Sequence, residues 1–299
     1  MTKGVKIKRI YWESNNEKGM KSMETLKGKI ALVTGASRGA GRAIAEELGK
    51  AGATVYVSGR SAKGNTTNGW PGSVDGTVSQ IKEAGGKAIG AVCDHTNDQE
   101  TKHLIDRIRA EQGRLDILVN NVWGGNERKI ESKPFWEQPK GHWDNMFTAG
   151  VRAQLMTNYY AIPLLRLNGA GVIIHTTFWD RDKYIGNFYY DLAKNALNRM
   201  AYGLSSELKR DGIAVLGLSP GFMRTELVLR EFRTDEAHWH EIEELKRSET
   251  PYYVGRAAVC LAGDPNILKK SGKVLRAGDL AEEYDFTDID GRRIPPFEL

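Results

Sequence analysis

The sequence predicts an α/β fold in which a seven-stranded parallel sheet carries helices on both faces. Three observations lead there. Short apolar runs alternate with helical stretches of ten or more residues along most of the 299-residue chain. The runs are continuously apolar, which marks strands buried on both faces rather than half-exposed ones. A glycine-rich turn joins the first run directly to the first helical stretch, a strand–turn–helix unit that suits phosphate. With right-handed crossovers these units give a doubly wound Rossmann fold.

The expected strands are residues 30–33, 54–57, 87–92, 115–119, 171–175, 213–218 and, weakly, 272–275. The turn after the first is Thr34-Gly35-Ala36-Ser37-Arg38-Gly39-Ala40-Gly41. Its glycines let the backbone turn tightly and approach a pyrophosphate, while the amides and dipole of the helix that follows favour negative charge. The spacing is G-x-x-x-G-x-G rather than the commoner G-x-G-x-x-G. Residues 61–77 read as a polar surface loop. Residues 222–250 are charged and follow the sixth strand, where they are expected to form a mobile lid; the plainer alternative is a solvated helical excursion.

Residues 26–299 are expected to form one domain, long enough to bury a large core. Residues 1–25 read as a flexible basic extension. The first 29 residues hold eight lysines and arginines against three glutamates, so they account for the whole net charge of +5. The body is balanced, which argues against a nucleic-acid face. No apolar run approaches a membrane span, and no secretory leader is evident. Cys93 and Cys260 lie far apart and outside any C-x-x-C motif, as expected of small core residues in a reducing, cytoplasmic setting. His238-Trp239-His240 is not expected to bind metal, because alternating histidines do not share a helix face.

In doubly wound sheets ligands sit at the carboxyl ends of the strands. The second strand is followed by Gly59-Arg60, with no acid to grip a ribose 2′-hydroxyl. Arg60 and Arg38 instead offer two cations to a 2′-phosphate, so NADP(H) is the expected cofactor. Asp94 is placed to accept from an adenine amino group. Asn120 and Asn121 are placed to tie neighbouring strand ends, and Asn121 and Val122 to line the cofactor ribose.

The chemistry is expected from Tyr190 and Lys194, which share one face if residues 190–194 are helical. A phenol of pKa about 10 is a poor acid–base at neutral pH. An ammonium about 4 Å away stabilises the phenolate by about 4 kcal/mol at an effective dielectric of 20, equivalent to up to about three pKa units. Thr177, at the end of the fifth strand, would hold a substrate oxygen opposite the tyrosine, although Thr176 is one residue away.

With these residues the chain resembles the short-chain dehydrogenase/reductase family over roughly residues 26–265. The resemblance rests on Thr34-Gly35-x-x-x-Gly39-x-Gly41, Asp94, Asn120-Asn121, Tyr190-x-x-x-Lys194, and Pro220-Gly221 with Thr225. It implies an NAD(P)-dependent enzyme, which Arg38 and Arg60 narrow to NADP(H), that interconverts a carbonyl and an alcohol. Tyr190 would donate the proton, Lys194 would lower the tyrosine pKa and hold the nicotinamide ribose, and Pro220, Gly221 and Thr225 would contact the nicotinamide. It also implies a homodimer or homotetramer built on two long helices. Gly150-Val151-Arg152, Phe135-Trp136 and Pro251-x-x-Val254-Gly255-Arg256-Ala257 resemble a subgroup of NADPH-dependent carbonyl reductases. Reduction of an activated C=C bond and non-catalytic NADP(H) sensing are the alternative readings.

Three positions depart from the family pattern. Thr177 replaces a serine. Val122-Trp123 replaces Ala-Gly and brings an indole to the site mouth. Gly150 stands where many members carry an asparagine that helps place a proton-relay water. Glycine keeps the main-chain carbonyl and permits helix distortion, so the relay is expected to survive without the amide. The aromatics near the expected pocket favour an apolar or aromatic ketone or aldehyde.

Overall fold

The computed structural model describes residues 25–128, 130–131, 133–179 and 183–298. The basic extension lies outside the described residues apart from residue 25. Seven strands form one parallel sheet: β1 (Ile30–Val33), β2 (Thr54–Gly59), β3 (Lys87–Val92), β4 (Ile117–Asn120), β5 (Gly171–Thr176), β6 (Ile213–Ser219) and β7 (Val274–Arg276). Their spatial order is β3-β2-β1-β4-β5-β6-β7. The order reverses beside β1, between β1 and β4, and opens a crevice at the strands' carboxyl ends there.

Helices α1 (Gly39–Lys50), α2 (Val74–Glu83), α3 (Asp98–Gln112), α4 (Ala153–Arg166), α5 (Phe188–Leu208), α6 (Glu226–Glu231), α7 (Pro251–Gly263) and α8 (Ala277–Tyr284) fill the connections. Alternate strand residues feed two cores. Val33, Val55 and Ile174 pack with Ile44 of α1 and Val254 of α7 on one face. Leu32, Tyr56 and Ile173 pack with Ile108 of α3, Leu164 of α4 and Ala201 of α5 on the other. Gly255 lets α7 lie against α1, since a Cβ there would meet the Ala43 carbonyl oxygen at 2.9 Å. Cys260 belongs to the first core and Cys93 to the second, and burial pushes both thiols up to about 12.

Strand edges differ from the sequence reading by a residue or two, each for a local reason. β4 begins at Ile117 because Asp116 turns its carboxylate to accept from the Ile30 amide at 2.9 Å. β7 begins at Val274 because Gly272 sits at φ +84°. Among the described residues no helix is long and apolar enough to cross a membrane.

Residues 143–152 precede α4 as a ten-residue π-helical segment, Trp143–Arg152. Residues 222–250 are anchored rather than loose at their base. Arg224 is 2% exposed, donates to the Ser248 carbonyl at 3.2 Å and pairs with Asp290 at 2.9 Å. The Arg224 and Arg292 guanidiniums lie over the Trp239 ring at 4.0 and 4.6 Å. This joins the stretch to the chain's last described residues.

Candidate active site

A cavity of about 390 Å³ lies at the carboxyl ends of the strands, running from Ser61 and Trp70 past the glycine turn to Tyr190 and Phe222. One end is made of backbone. Gly35 and Gly39 have φ of +62° and +53°, conformations that glycine adopts without strain. At Gly41 a Cβ would sit 2.2 Å from the Gly35 carbonyl oxygen and 2.4 Å from Asn121 Nδ2. The first turn of α1 has no capping side chain and no acid, so its amides stay available to an anion.

Asn121 fixes this cradle to the sheet. Its amide nitrogen Nδ2 donates to the Gly35 carbonyl at 3.0 Å, and its backbone N–H donates to Thr34 Oγ1 at 3.0 Å. Asn120 instead turns inward and donates to Asn158 Oδ1 at 2.8 Å.

Arg38 Nη2 donates to Ser61 Oγ at 2.7 Å and the Gly72 carbonyl at 3.3 Å, while its Nε is buried without a partner. Burial lowers the Arg38 pKa against the influence of Glu226, and nearby Arg60 adds to the lowering. Arg60 lines the same cavity and is paired with Glu127. Asp94 also lines it, with Oδ1 accepting from Thr96 Oγ1 at 2.7 Å.

At the other end α5 presents Tyr190 and Lys194 one turn apart, its start capped by Asn187 Oδ1 accepting from the Tyr190 N–H at 3.0 Å. The ammonium sits closer to the Trp123 ring than to that of Tyr190. Lys194 Nζ lies 4.0 Å from the Trp123 ring centroid and 5.6 Å from that of Tyr190. Trp123 meets Tyr190 edge-on, with centroids 5.5 Å apart. Burial pushes the Tyr190 phenol up to about 12 and pulls the Lys194 ammonium down to about 7. In this arrangement desolvation, rather than mutual attraction, sets both shifts.

Both threonines are engaged. Thr177 Oγ1 lies 2.6 Å from Asn198 Oδ1 and 3.1 Å from the Lys194 carbonyl, so its proton is turned toward α5. Thr176 donates to Asn121 Oδ1 at 3.1 Å. Both line the cavity, and Thr177 keeps lone pairs with which to accept. At Gly150 a Cβ would meet the benzo edge of Trp123 at 2.8 Å. The two departures from the family pattern are thus one: the indole fills the space that a side chain at 150 would need.

Pro220 and Thr225 line the cavity, and Thr225 caps α6 by accepting from the Val228 N–H. Gly221 lies behind the cavity wall, where a Cβ would meet Glu249 Oε2 at 2.7 Å. Glu249 is 1% exposed, and burial pushes its carboxyl up to about 8 despite the Gly221 N–H.

The sequence reading passed over Glu249 because it ends a run of charged residues. It also passed over Phe297, which packs 6.1 Å from Phe178, itself 6.4 Å from Tyr190. Arg276 holds that tail by pairing with Glu298 at 3.0 Å. Only the spacing Phe-Glu beyond a Pro-Pro could have hinted at a returning tail. Among the described residues no group of three His, Cys, Asp or Glu side chains could hold a metal ion.

The sequence profile described as short chain dehydrogenase matches residues 29–236. The chain belongs to the short-chain dehydrogenase/reductase family. It is similar to the mouse "Dehydrogenase/reductase SDR family member 1", 36% identical over 91% of this chain and 87% of that one. It is 30% identical to the 7α-hydroxysteroid dehydrogenase of Escherichia coli K12 over 84% of this chain and 92% of that one. Among solved structures, a short chain dehydrogenase from Mycobacterium thermoresistibile superposes with a TM-score of 0.77 at 26% identity, covering 91% and 94% of the two chains. A 7α-hydroxysteroid dehydrogenase in complex with NADH and 7-oxo glycochenodeoxycholic acid gives 0.71 at 27% identity over 87% and 96%.

Members of this family are oxidoreductases that use a nicotinamide dinucleotide, and the residues present here fit one. The glycine cradle leaves no room for a Cβ at Gly41, the α1 amides are free, and Arg38 Nε is a buried donor without an acceptor.

Proposed function

We propose that this chain is an NADP(H)-dependent oxidoreductase that interconverts an apolar ketone or aldehyde and its alcohol. The observation that carries the reading is the convergence, in one cavity, of a phosphate cradle, two arginines at one end and the Tyr190–Lys194 pair at the other.

When bound, the dinucleotide supplies the hydride. The chain's own residues do the rest. The α1 amides hold pyrophosphate charge. Arg38 and Arg60 would hold a 2′-phosphate, with Arg60 turning from Glu127 to do so. Tyr190 donates its phenolic proton to the carbonyl oxygen, which leaves as the alcohol hydroxyl. The charged form of Lys194 stabilises the phenolate left behind, and Thr177, its proton turned toward α5, accepts from the hydroxyl of the alcohol. Phe178, Trp123 and Phe297 exclude water and favour an apolar body next to the carbonyl. The hydroxysteroid-acting relatives support a bulky substrate of that kind. Leu155 and Tyr159 on α4 and Leu192 and Tyr202 on α5 leave an exposed apolar face, which supports assembly through those helices.

The test is a screen for NADPH oxidation across aldehydes, ketones, quinones and enones, followed by Tyr190→Phe. The reading expects turnover of carbonyls, and a loss of about 10²–10⁴-fold in kcat for the variant with dinucleotide affinity retained. Turnover of enones alone, binding without any turnover, or an active Tyr190→Phe overturns it.

A further inference from the structure

Trp123 stands out because three glycines are spent on it. A Cβ at Gly125 would meet the indole at 2.5 Å, and one at Gly150 would meet it at 2.8 Å. A Cβ at Gly124 would meet the Asn145 carbonyl oxygen at 2.7 Å and Ala149 Cβ at 2.9 Å, so the loop that carries the indole is seated directly on the π-helical segment. It touches both groups that the proposed reaction needs. Its face lies under the Lys194 ammonium at 4.0 Å, and it meets the Tyr190 ring at 81°. Among the described residues no carboxylate pairs with Lys194, and burial is the cause of its lowered pKa.

We propose that Trp123 is a positioning residue of this site: its face carries the Lys194 ammonium, its ring fixes Tyr190, and Gly150 is the vacancy that admits it. The inference rests on the reading of Tyr190 and Lys194 given above. Its physical basis is the attraction of a desolvated cation to an indole quadrupole, which favours the protonated amine by the equivalent of about one pKa unit. The edge-to-face contact with Tyr190 adds orientation to that charge effect. Burial disfavours the Lys194 ammonium, and the indole face beneath it opposes that loss. Aliphatic packing at position 123 would fill the space without supplying the charge effect.

The charge on Lys194 can be read without turnover. Competitive labelling with trace acetic anhydride across pH, followed at the Lys194 peptide by mass spectrometry, gives the midpoint of its titration. In Trp123→Leu the midpoint is expected to fall by about one pH unit. Trp123→Phe is expected to recover part of that shift. Gly150→Ala, which pushes the indole aside, should lower the midpoint too, and should add nothing in the Trp123→Leu background. The pH profile of kcat should move with the labelling midpoint. Thermal melting of each variant establishes that it is folded. A folded Trp123→Leu with an unmoved midpoint, or full additivity with Gly150→Ala, overturns the proposal. An active Tyr190→Phe overturns the assigned chemistry instead and leaves the labelling result standing.

Discussion

The two ends of the cavity are built from different materials. The dinucleotide end is mostly backbone: positive-φ glycines, free amides at the start of α1, and an asparagine that staples the turn to the sheet. The end proposed for substrate is mostly aromatic: Trp123 and Tyr190 line it in edge contact, and Phe178 and Phe297 pack in series behind Tyr190. A backbone site tolerates almost no substitution, since only glycine fits. A side-chain site can be rebuilt one ring at a time. The same scaffold can therefore keep its cofactor while changing its substrate.

The sharpest way to break this contrast is Gly41→Ala. The added Cβ has backbone on one side and Asn121 on the other, so the cradle must deform at a cost of about 1–3 kcal/mol. Calorimetry should show a loss of about 10–100-fold in dinucleotide affinity, with lower thermal stability. A variant that binds normally would show that the cradle is softer than its contacts imply.

Next in size is Arg60→Asp. Charge-assisted contacts of about 1.5–3 kcal/mol convert to a fall of about 10–100-fold in the NADPH-to-NADH ratio of kcat/KM. Indifference to this change would remove Arg60 from the cofactor site.

Glu249 probes the seam between the two ends. Its folded pKa of about 8 lies above the ordinary 4.5, so its stabilising contribution is full below about 4.5 and is lost as pH rises through about 8. The melting temperature should decline over that window, and Glu249→Gln should flatten the decline. An identical slope in the variant would show that Glu249 is ionised in the fold.

The smallest expected effect is that of Phe297→Ala. Losing one aromatic contact, worth about 0.5–1.5 kcal/mol, should raise KM for bulky carbonyls about 2–10-fold while leaving small aldehydes and dinucleotide affinity unchanged. Equal effects on both substrate classes would remove Phe297 from the substrate wall.

What could be read in the sequence follows the same division. The succession of strands along the chain, the glycine turn and the α5 placement of Tyr190 and Lys194 follow from short-range pattern, because continuous apolar runs and i, i+4 spacing are local properties. Contacts between distant segments do not. Nothing near Lys194 in sequence announces that its ammonium rests on Trp123, and nothing near Gly150 announces the same indole. Nothing near Glu249 in sequence announces that the Gly221–Arg224 loop after β6 covers it. Nor does anything near Thr177 announce its hydrogen bond to Asn198 of α5, or that a Cβ at Gly217 of β6 would meet its methyl group at 2.9 Å.

The Arg224–Trp239–Arg292 stack carries a consequence for motion. Because Arg292 also donates to the Ser248 and Lys246 carbonyls, the charged stretch after β6 and the tail that ends near Phe297 share one set of fasteners. Moving the charged stretch would therefore also pull on the tail that carries Phe297.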